Sequence, residues 1–263
     1  MAVALVNTGT EQTASSGTSF NYTGLNITAA ISNSAAVFYA LWFSATTISA
    51  PTATWNGVSA PLIGTLIGSS GFCYLGLFGL VNPASGAQTL ALSWTTATTG
   101  MAVCGASFSG VNQTGGTTTF ANPGNNSNFG SVTTLSRTQP TASGNMTLGG
   151  VALGQSATTT GISAPAGFTQ IYVDRTALIL AGTGQEGVFA STGASTVWTA
   201  TQVSADFIAL VTTDIVASGA AAVVEGGGQP GAIFRVNMAP GWRWRRPPGR
   251  KTFVCEKKLL KAA

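Results

Sequence analysis

The sequence of 263 residues contains no histidine. Histidine is the usual general base near neutral pH, and it completes Ser-His-Asp triads, Cys-His pairs and many zinc sites. Its absence excludes these kinds of site from the functions that we consider.

Acidic residues are also few. The chain has seven of them, Glu11, Asp174, Glu186, Asp206, Asp214, Glu225 and Glu256. They form no spaced carboxylate cluster, so we predict no catalytic residue, no cofactor and no metal site. Glycosidase chemistry needs only two carboxylates, and a pair brought together by folding, such as Asp174 with Asp206, keeps an enzyme open as an alternative. The prediction is that the protein is not an enzyme.

Charged residues of either sign make up 7% of the chain, against about 25% in an ordinary soluble domain. The polar surface must therefore come from 38 Thr, 24 Ser, 34 Gly and many Asn. Thr, Val and Ile suit strands, and Gly, Asn and Ser suit turns, whereas the Lys, Glu and Arg of long amphipathic helices are missing. With 44% hydrophobic residues the chain can build a core. The composition predicts an all-β protein.

The charge is distributed unevenly. Residues 1–234 contain two basic and six acidic residues, whereas residues 235–263 contain nine basic residues and one acidic residue. A nearly uncharged body feels little long-range repulsion from its own copies, which favours dense packing in an assembly. The alternative is a protein that is kept in solution by hydroxyl and amide groups alone.

The three cysteines, Cys73, Cys104 and Cys255, are too widely spaced for a disulfide framework or a zinc pattern. Cys73 and Cys104 lie in apolar runs, and we expect both in the core. The N-terminal segment lacks the basic and apolar regions of a signal peptide. The longest apolar run, residues 35–43, is about half of what a membrane span needs, so we predict no membrane contact.

Short apolar runs separated by Gly, Pro, Asn and Thr predict an antiparallel β-sandwich. The predicted strands are residues 36–43, 71–81, 87–94, 101–108, 145–154, 177–182, 194–201 and 205–215. The run 36–43 is apolar on both faces, which is typical of a central strand.

Tryptophan placement follows from the same runs. Trp42, Trp94 and Trp198 lie in predicted strands and are expected in the core. Trp55 precedes an Asn-Gly turn and is the best candidate for an exposed aromatic residue.

The order of the strand candidates repeats. Residues 145–154 correspond to 36–43, and residues 192–201 correspond to 85–94, with offsets of about 102 to 110 residues. A five-strand unit used twice would form two facing sheets. The alternative is that any Thr-rich sandwich shows such similarities. Residues 110–132, between the halves, are predicted to be a long polar loop.

The C-terminal part differs in composition from the rest. We predict a β-sandwich domain over residues 1–216, a Gly/Ala-rich linker over 217–231 and a basic, aromatic anchor over 232–263. The segment 256–263 could form two helical turns.

Two-residue periodicity in the anchor places tryptophans on one face of an extended chain and arginines on the other. A solvated basic tail is the alternative. The predicted partner-binding residues are Trp242, Arg243, Trp244, Arg245, Arg246, Arg250 and Phe253. Because the body shows no basic face, an acidic protein partner is favoured over nucleic acid.

Five segments carry a resemblance to a known group of proteins. They are TWNGVSAPLI (54–63), YLGLFGLVNPASGAQTLALSW (74–94), GASFSGVNQT (105–114), PAGFTQIY (165–172) and FIAL (207–210). The arrangement resembles the jelly-roll-like β-sandwich proteins of tailed bacteriophages and prophages, which lie on the virion surface as head decoration, fibre or tail components. The resemblance covers roughly residues 30–216 and omits the basic tail.

The resemblance implies a non-enzymatic structural protein of the virion, assembled in the host cytoplasm and displayed on the capsid or tail. Its partners would be the major capsid protein, other virion subunits and sister copies, which the basic tail would contact. The alternative function is a glycan- or receptor-binding adhesion module of a phage tail or a bacterial surface. Such a module would stack sugars on exposed aromatic residues of loops such as 110–132.

Overall fold

The computed structural model describes residues 1–28, 32–69, 73–153, 169–174, 185–192, 196–219, 242–245 and 254–257. The chain divides into two compact units, Met1–Val224 and Glu225–Ala263, which we describe separately. We call the first unit the body.

Nearly all of the described chain is antiparallel β-structure. The first half of the body contains β1 (Ala4–Thr8), β2 (Gln12–Ala14), β3 (Gly17–Tyr22), β4 (Asn26–Ile27), β5 (Ala35–Phe43), β6 (Thr52–Trp55), β7 (Val58–Ser59), β8 (Leu62–Gly68), β9 (Cys73–Val81), β10 (Gly86–Ala87), β11 (Leu90–Thr98) and β12 (Gly100–Ser109). The second half contains the one-turn helix α1 (Gly116–Thr119), β13 (Phe120–Gln139), β14 (Met146–Leu153), β15 (Thr169–Asp174), β16 (Gln185–Thr192) and β17 (Thr196–Ile215). The second unit contains β18 (Trp242–Arg245) and β19 (Val254–Lys257).

The strands of the body form three main sheets. The central sheet has the order β1-β12-β5-β9-β8, with β2 also paired to β12, and the outer sheet has the order β3-β11-β6-β7. The second-half sheet has the order β13-β17-β14-β16-β15, and β4 and β10 form a small separate ladder. The predicted all-β, sandwich-like fold is confirmed, and the jelly-roll description stays a prediction.

The central sheet is buried on both faces. Alternate residues of β5, such as Val37 and Tyr39, belong to a core shared with the second-half sheet. The intervening residues, such as Phe38 and Trp42, belong to a core shared with the outer sheet. Every residue of β5 is buried, which confirms the central strand that the apolar run predicted. The body is therefore layered, with the central sheet between the other two.

The two halves repeat the same strand order. Reading across the central sheet, β1, β12, β5, β9 and β8 correspond in chain order to β13, β17, β14, β16 and β15 of the second-half sheet. These two sheets face each other across one core, to which both contribute. A five-strand unit does occur twice, but its strands differ from the predicted set, because it includes β1 and β13 and leaves β11 in the outer sheet.

Strands β13 and β17 bend and fold back over the outer face of the second-half sheet. Their pairing shifts register between Asn128 and Thr134. Beyond this bend the Asn126 Nδ2 atom donates to the Ser136 carbonyl at 2.7 Å, so the two parts of β13 lie against each other. A small separate core joins the folded-back part to the sheet, and it contains Val132, Leu135, Val151, Leu153, Trp198, Ile208 and Leu210.

The predicted polar loop at 110–132 is wrong over most of its length. Residues 116–119 form α1, and the chain is in β13 from Phe120 onward. Asn, Gly and Ser are typical of loops, but here pairing with β17 supplies the hydrogen bonds that hold them in a strand. The separately predicted strands 194–201 and 205–215 are one long strand, β17, because β17 pairs with β13 on both sides of the residues between them.

The other predicted strands lie close to observed ones. The largest difference is at 87–94, which corresponds to β11 at Leu90–Thr98. The predicted strand 177–182 lies outside the described residues. Cys73 and Cys104 are buried, as expected.

Edge strands and inner strands differ in the regularity of their pairing. Register shifts occur where β1, β3, β8, β13 and β15 pair with their neighbours. No shift occurs in the four pairings that flank β5 and β14. Bulges at edges disrupt the template for pairing with another chain. Most edges in this body are therefore interrupted by irregular pairing rather than protected by charged side chains.

The second unit contains an antiparallel pair, in which Trp242 lies opposite Lys257 and Arg245 lies opposite Val254. The helical turns suggested for 256–263 are wrong at Glu256 and Lys257, which belong to β19. Hydrogen bonding to β18 favours the extended form there. Residues 258–263 lie outside the described residues.

We expect the substitution Gly150→Ala to weaken the packing between the two halves. A Cβ atom at position 150 in β14 would lie 2.2 Å from Cε2 of Tyr39 in β5, so the ring would have to move. The free energy of unfolding, measured by chemical denaturation, should fall by about 1–3 kcal/mol. Gly130→Ala, at an exposed position, should change it by less than about 0.5 kcal/mol. Equal losses for the two variants would contradict the face-to-face packing.

Candidate functional site

The described part of the body ends in a segment, residues 216–219, that several other parts of the chain hold in place. The Val216 amide donates to the Thr119 carbonyl at 2.9 Å, and the Ser218 amide donates to the Gly110 carbonyl at 2.6 Å. The N-terminal amine of Met1 donates to the Ser218 carbonyl at 3.0 Å. Residues 216–219 therefore lie beside the N-terminus and beside the connection between the two halves, and the chain continues from them into the C-terminal extension, residues 220–263. We call residues 216–219 the root of the extension.

A buried polar group lies directly under the root. The Asp214 carboxylate accepts hydrogen bonds from the Thr141 hydroxyl and from Asn145 Nδ2, the latter at 2.7 Å. Asn145 Oδ1 in turn accepts a hydrogen bond from the Ala217 amide at 2.9 Å. Asp214 is 2% exposed and Asn145 is 1% exposed. Ala217, placed by prediction at the start of the linker, is thus part of the buried body.

A second polar group joins the folded-back part of β13 to the sheet beneath it. The Thr212 hydroxyl accepts a hydrogen bond from Arg137 Nε at 2.8 Å and donates to Gln139 Oε1 at 2.6 Å. Gln139 Nε2 donates to the Asn122 carbonyl at 3.1 Å. Burial lowers the pKa of Arg137. These contacts satisfy polar atoms between two layers, which indicates a structural role.

The outward faces of the body carry hydroxyl groups in place of charges. Strands β3, β6, β7 and β11 contain no charged residue. On the outer sheet, the Thr52 and Ser93 hydroxyls are 2.8 Å apart, and the Thr95 hydroxyl of β11 lies at the same distance from that of Ser49, in the segment before β6. The folded-back part shows the same arrangement, with exposed residues Thr134, Ser136, Thr138, Val197, Thr199 and Thr201. Each half therefore presents an uncharged face of paired hydroxyl groups.

Exposed aromatic residues are absent among the described side chains. Trp55, predicted to be the best exposed candidate, is fully buried, and its Nε1 atom donates to the Ala84 carbonyl at 2.9 Å. The prediction is wrong because the Asn56-Gly57 turn directs the backbone outward while Trp55 faces the core beneath β6. Trp42, Trp94 and Trp198 are buried, as predicted.

The structure does not bring the suggested carboxylate pair together on neighbouring strands. Asp174 lies in β15 and Asp206 lies in β17, and β16 and β14 run between these strands. Neighbouring strands lie about 4.8 Å apart, so the three spacings between β17 and β15 put these two strands on the order of 14 Å apart. The register places Asp174 opposite Glu186 instead.

Four of the predicted partner-binding residues form β18: Trp242, Arg243, Trp244 and Arg245. The other three, Arg246, Arg250 and Phe253, lie outside the described residues. The polar group under the root was missed, because Asn145 and Asp214 lie within apolar runs that we assigned to strands. The signal available in the sequence was a polar residue near one end of each run, Asn145 at the start of 145–154 and Asp214 near the end of 205–215.

Clusters of metal-binding residues and membrane-spanning helices are both absent from the part of the chain that the structure describes. No group of three His, Cys, Asp or Glu residues there could hold a metal ion. No helix in that part has the length and apolar character to cross a membrane.

Comparisons with known protein families, with curated proteins and with solved structures found no match for this chain.

We expect Asp214 to make the body less stable as the pH rises. Burial raises the pKa of its carboxyl above the ordinary value of 3.8, and the hydrogen bonds from Thr141 and Asn145 oppose this only in part. The folded state therefore binds the proton more tightly than the unfolded state does. Stability is greatest below the unfolded pKa and falls as the pH rises through the folded pKa.

The test is Asp214→Asn, which removes the buried charge and keeps an amide that can bond to both neighbours. Urea denaturation of this variant should show a smaller loss of stability than the wild type between about pH 3 and pH 7. An identical pH dependence in the two proteins would show that Asp214 does not contribute.

Proposed function

We propose that this chain is a non-enzymatic structural protein of a virion, displayed on the capsid or tail of a bacteriophage and held there by its basic C-terminal unit. The observation that carries the proposal is the division of the chain into two units that differ in charged residues. The body presents uncharged hydroxyl faces, whereas nine of the eleven basic residues lie in 235–263. An all-β, sandwich-like body of this kind fits the resemblance found in the sequence.

The basic unit supports a particular kind of attachment. Arginine and aromatic residues contribute most to the affinity of protein interfaces, and residues 242–245 alternate between these types in a strand. We propose that this unit binds acidic surfaces of the major capsid protein, of another virion subunit or of a sister copy. Such contacts weaken as the salt concentration rises.

The glycan-binding alternative receives less support. Sugar stacking needs exposed aromatic rings, and the described side chains offer none. Trp55, its best candidate, is buried. The virion proposal needs no such site.

We expect truncation after Gly231 to leave a folded body that no longer joins particles. The truncated chain keeps all of the residues Met1–Val224, which form a compact unit through contacts among themselves. Particles assembled with the full chain or the truncated chain would be purified and their content of this protein measured. Incorporation of the truncated chain at full occupancy would contradict the proposal.

A charge-matched pair of variants tests the arginine contacts. Arg243→Gln with Arg245→Gln removes two positive charges from β18, and Lys258→Gln with Lys261→Gln removes two from the end of the chain. We expect the arginine variant to be incorporated at least about tenfold less well, which corresponds to about 1.4 kcal/mol, and the lysine variant to change little. Equal losses would indicate a nonspecific charge effect.

We also expect the purified chain to show no hydrolysis of host polysaccharides. The carboxylates Asp174 and Asp206 lie on strands that do not neighbour each other. Saturable hydrolysis, measured as the release of reducing ends and abolished by Asp174→Asn or Asp206→Asn, would overturn this expectation.

A further inference from the structure

The strand that carries the C-terminal extension is held on both sides. Strand β17 lies between β13 and β14, and its last residue, Ile215, pairs with Phe120 on one side and with Met146 on the other. Ile215 is fully buried in the core between the two halves. Tension along β17 would load both ladders of hydrogen bonds in shear, so that many bonds must break together.

The root, residues 216–219, adds a second level of attachment. It is bonded to three separate parts of the chain, through the Gly110 carbonyl, the Thr119 carbonyl and the N-terminal amine. The Asn112 amide donates to the Val216 carbonyl at 2.8 Å. Residues 216–219 are therefore held to distant parts of the sequence.

The side chain of Asn145 joins these two levels. Its Oδ1 atom accepts a hydrogen bond from the Ala217 amide in the root, and its Nδ2 atom donates to the Asp214 carboxylate in β17. Its neighbour Met146 begins β14, which pairs with β17. Because Asn145 is buried, removing it would leave polar atoms without partners and without access to water.

We propose that the Asp214–Asn145–Ala217 link is a mechanical clamp, which ties the root and the end of β17 to the start of β14 and so resists peeling of the root when tension acts on the C-terminal extension. The use of such a clamp rests on the proposed anchoring of the extension. Its existence does not, because it can be measured on the purified chain alone.

The experiment applies constant force to single molecules along two axes. The clamp axis pulls between an attachment at the exposed Ala45 and the C-terminus. The control axis pulls between exposed Thr18 and Val58, which lie on opposite edge strands of the outer sheet and bypass the root. Handles attach through introduced cysteines in a Cys255→Ser background, since Cys73 and Cys104 are buried.

We expect Asn145→Ala to speed unfolding along the clamp axis by roughly tenfold or more, which is the effect of losing a buried hydrogen-bonded link. Along the control axis the same variant should unfold at nearly the wild-type rate. Asn21→Ala, at an exposed position of β3, should resemble the wild type on both axes.

Equal acceleration on both axes would overturn the clamp, because it would show general destabilisation. No acceleration on the clamp axis would overturn it as well. If Asn145→Ala does not fold, the shorter polar variant Asn145→Ser gives the same comparison. A failed clamp would leave the anchoring proposal in place, and a truncated chain that still joins particles would leave the clamp in place.

Discussion

Burial of both faces of the central sheet is the constraint on which the rest of this structure depends. Strands β5, β9 and β12 can lie in the middle only if each has an apolar layer above and below it. The outer sheet supplies one layer and the second-half sheet supplies the other. Close packing between the two halves also requires glycine at position 150, because the Tyr39 ring occupies the space that any side chain there would need.

The scarcity of charge has consequences at the surface and at the edges. Hydroxyl groups pair with each other on the outward faces of both halves, which satisfies them without a charged partner. Soluble β-proteins commonly place lysine or proline at open strand edges. Here register shifts accompany five edge strands instead. A body built in this way offers few sites for strand addition.

The sequence predicted the inner strands better than the outer ones. Run 36–43 was assigned correctly because residues buried on both faces must be apolar throughout. The first part of β13 was assigned to a loop, because its Asn, Gly and Ser residues are held in a strand by pairing with residues about 90 positions away. The group around Asn145 was missed for a related reason. Its members come from two stretches, 141–145 and 214–217, which are far apart in the sequence, and they meet only because β14 pairs with β17.

The closing strands of the two halves bear on how the chain folds during synthesis. Strand β1 pairs with β12, and β13 pairs with β17, so each half is completed by contact between its first and last strands. Pairings this distant in sequence have high contact order and form slowly. The first half has all strands of its own two sheets once Ser109 has been made. It can therefore bury its outer core while the second half is still being translated, and then serve as the template on which the second-half sheet assembles.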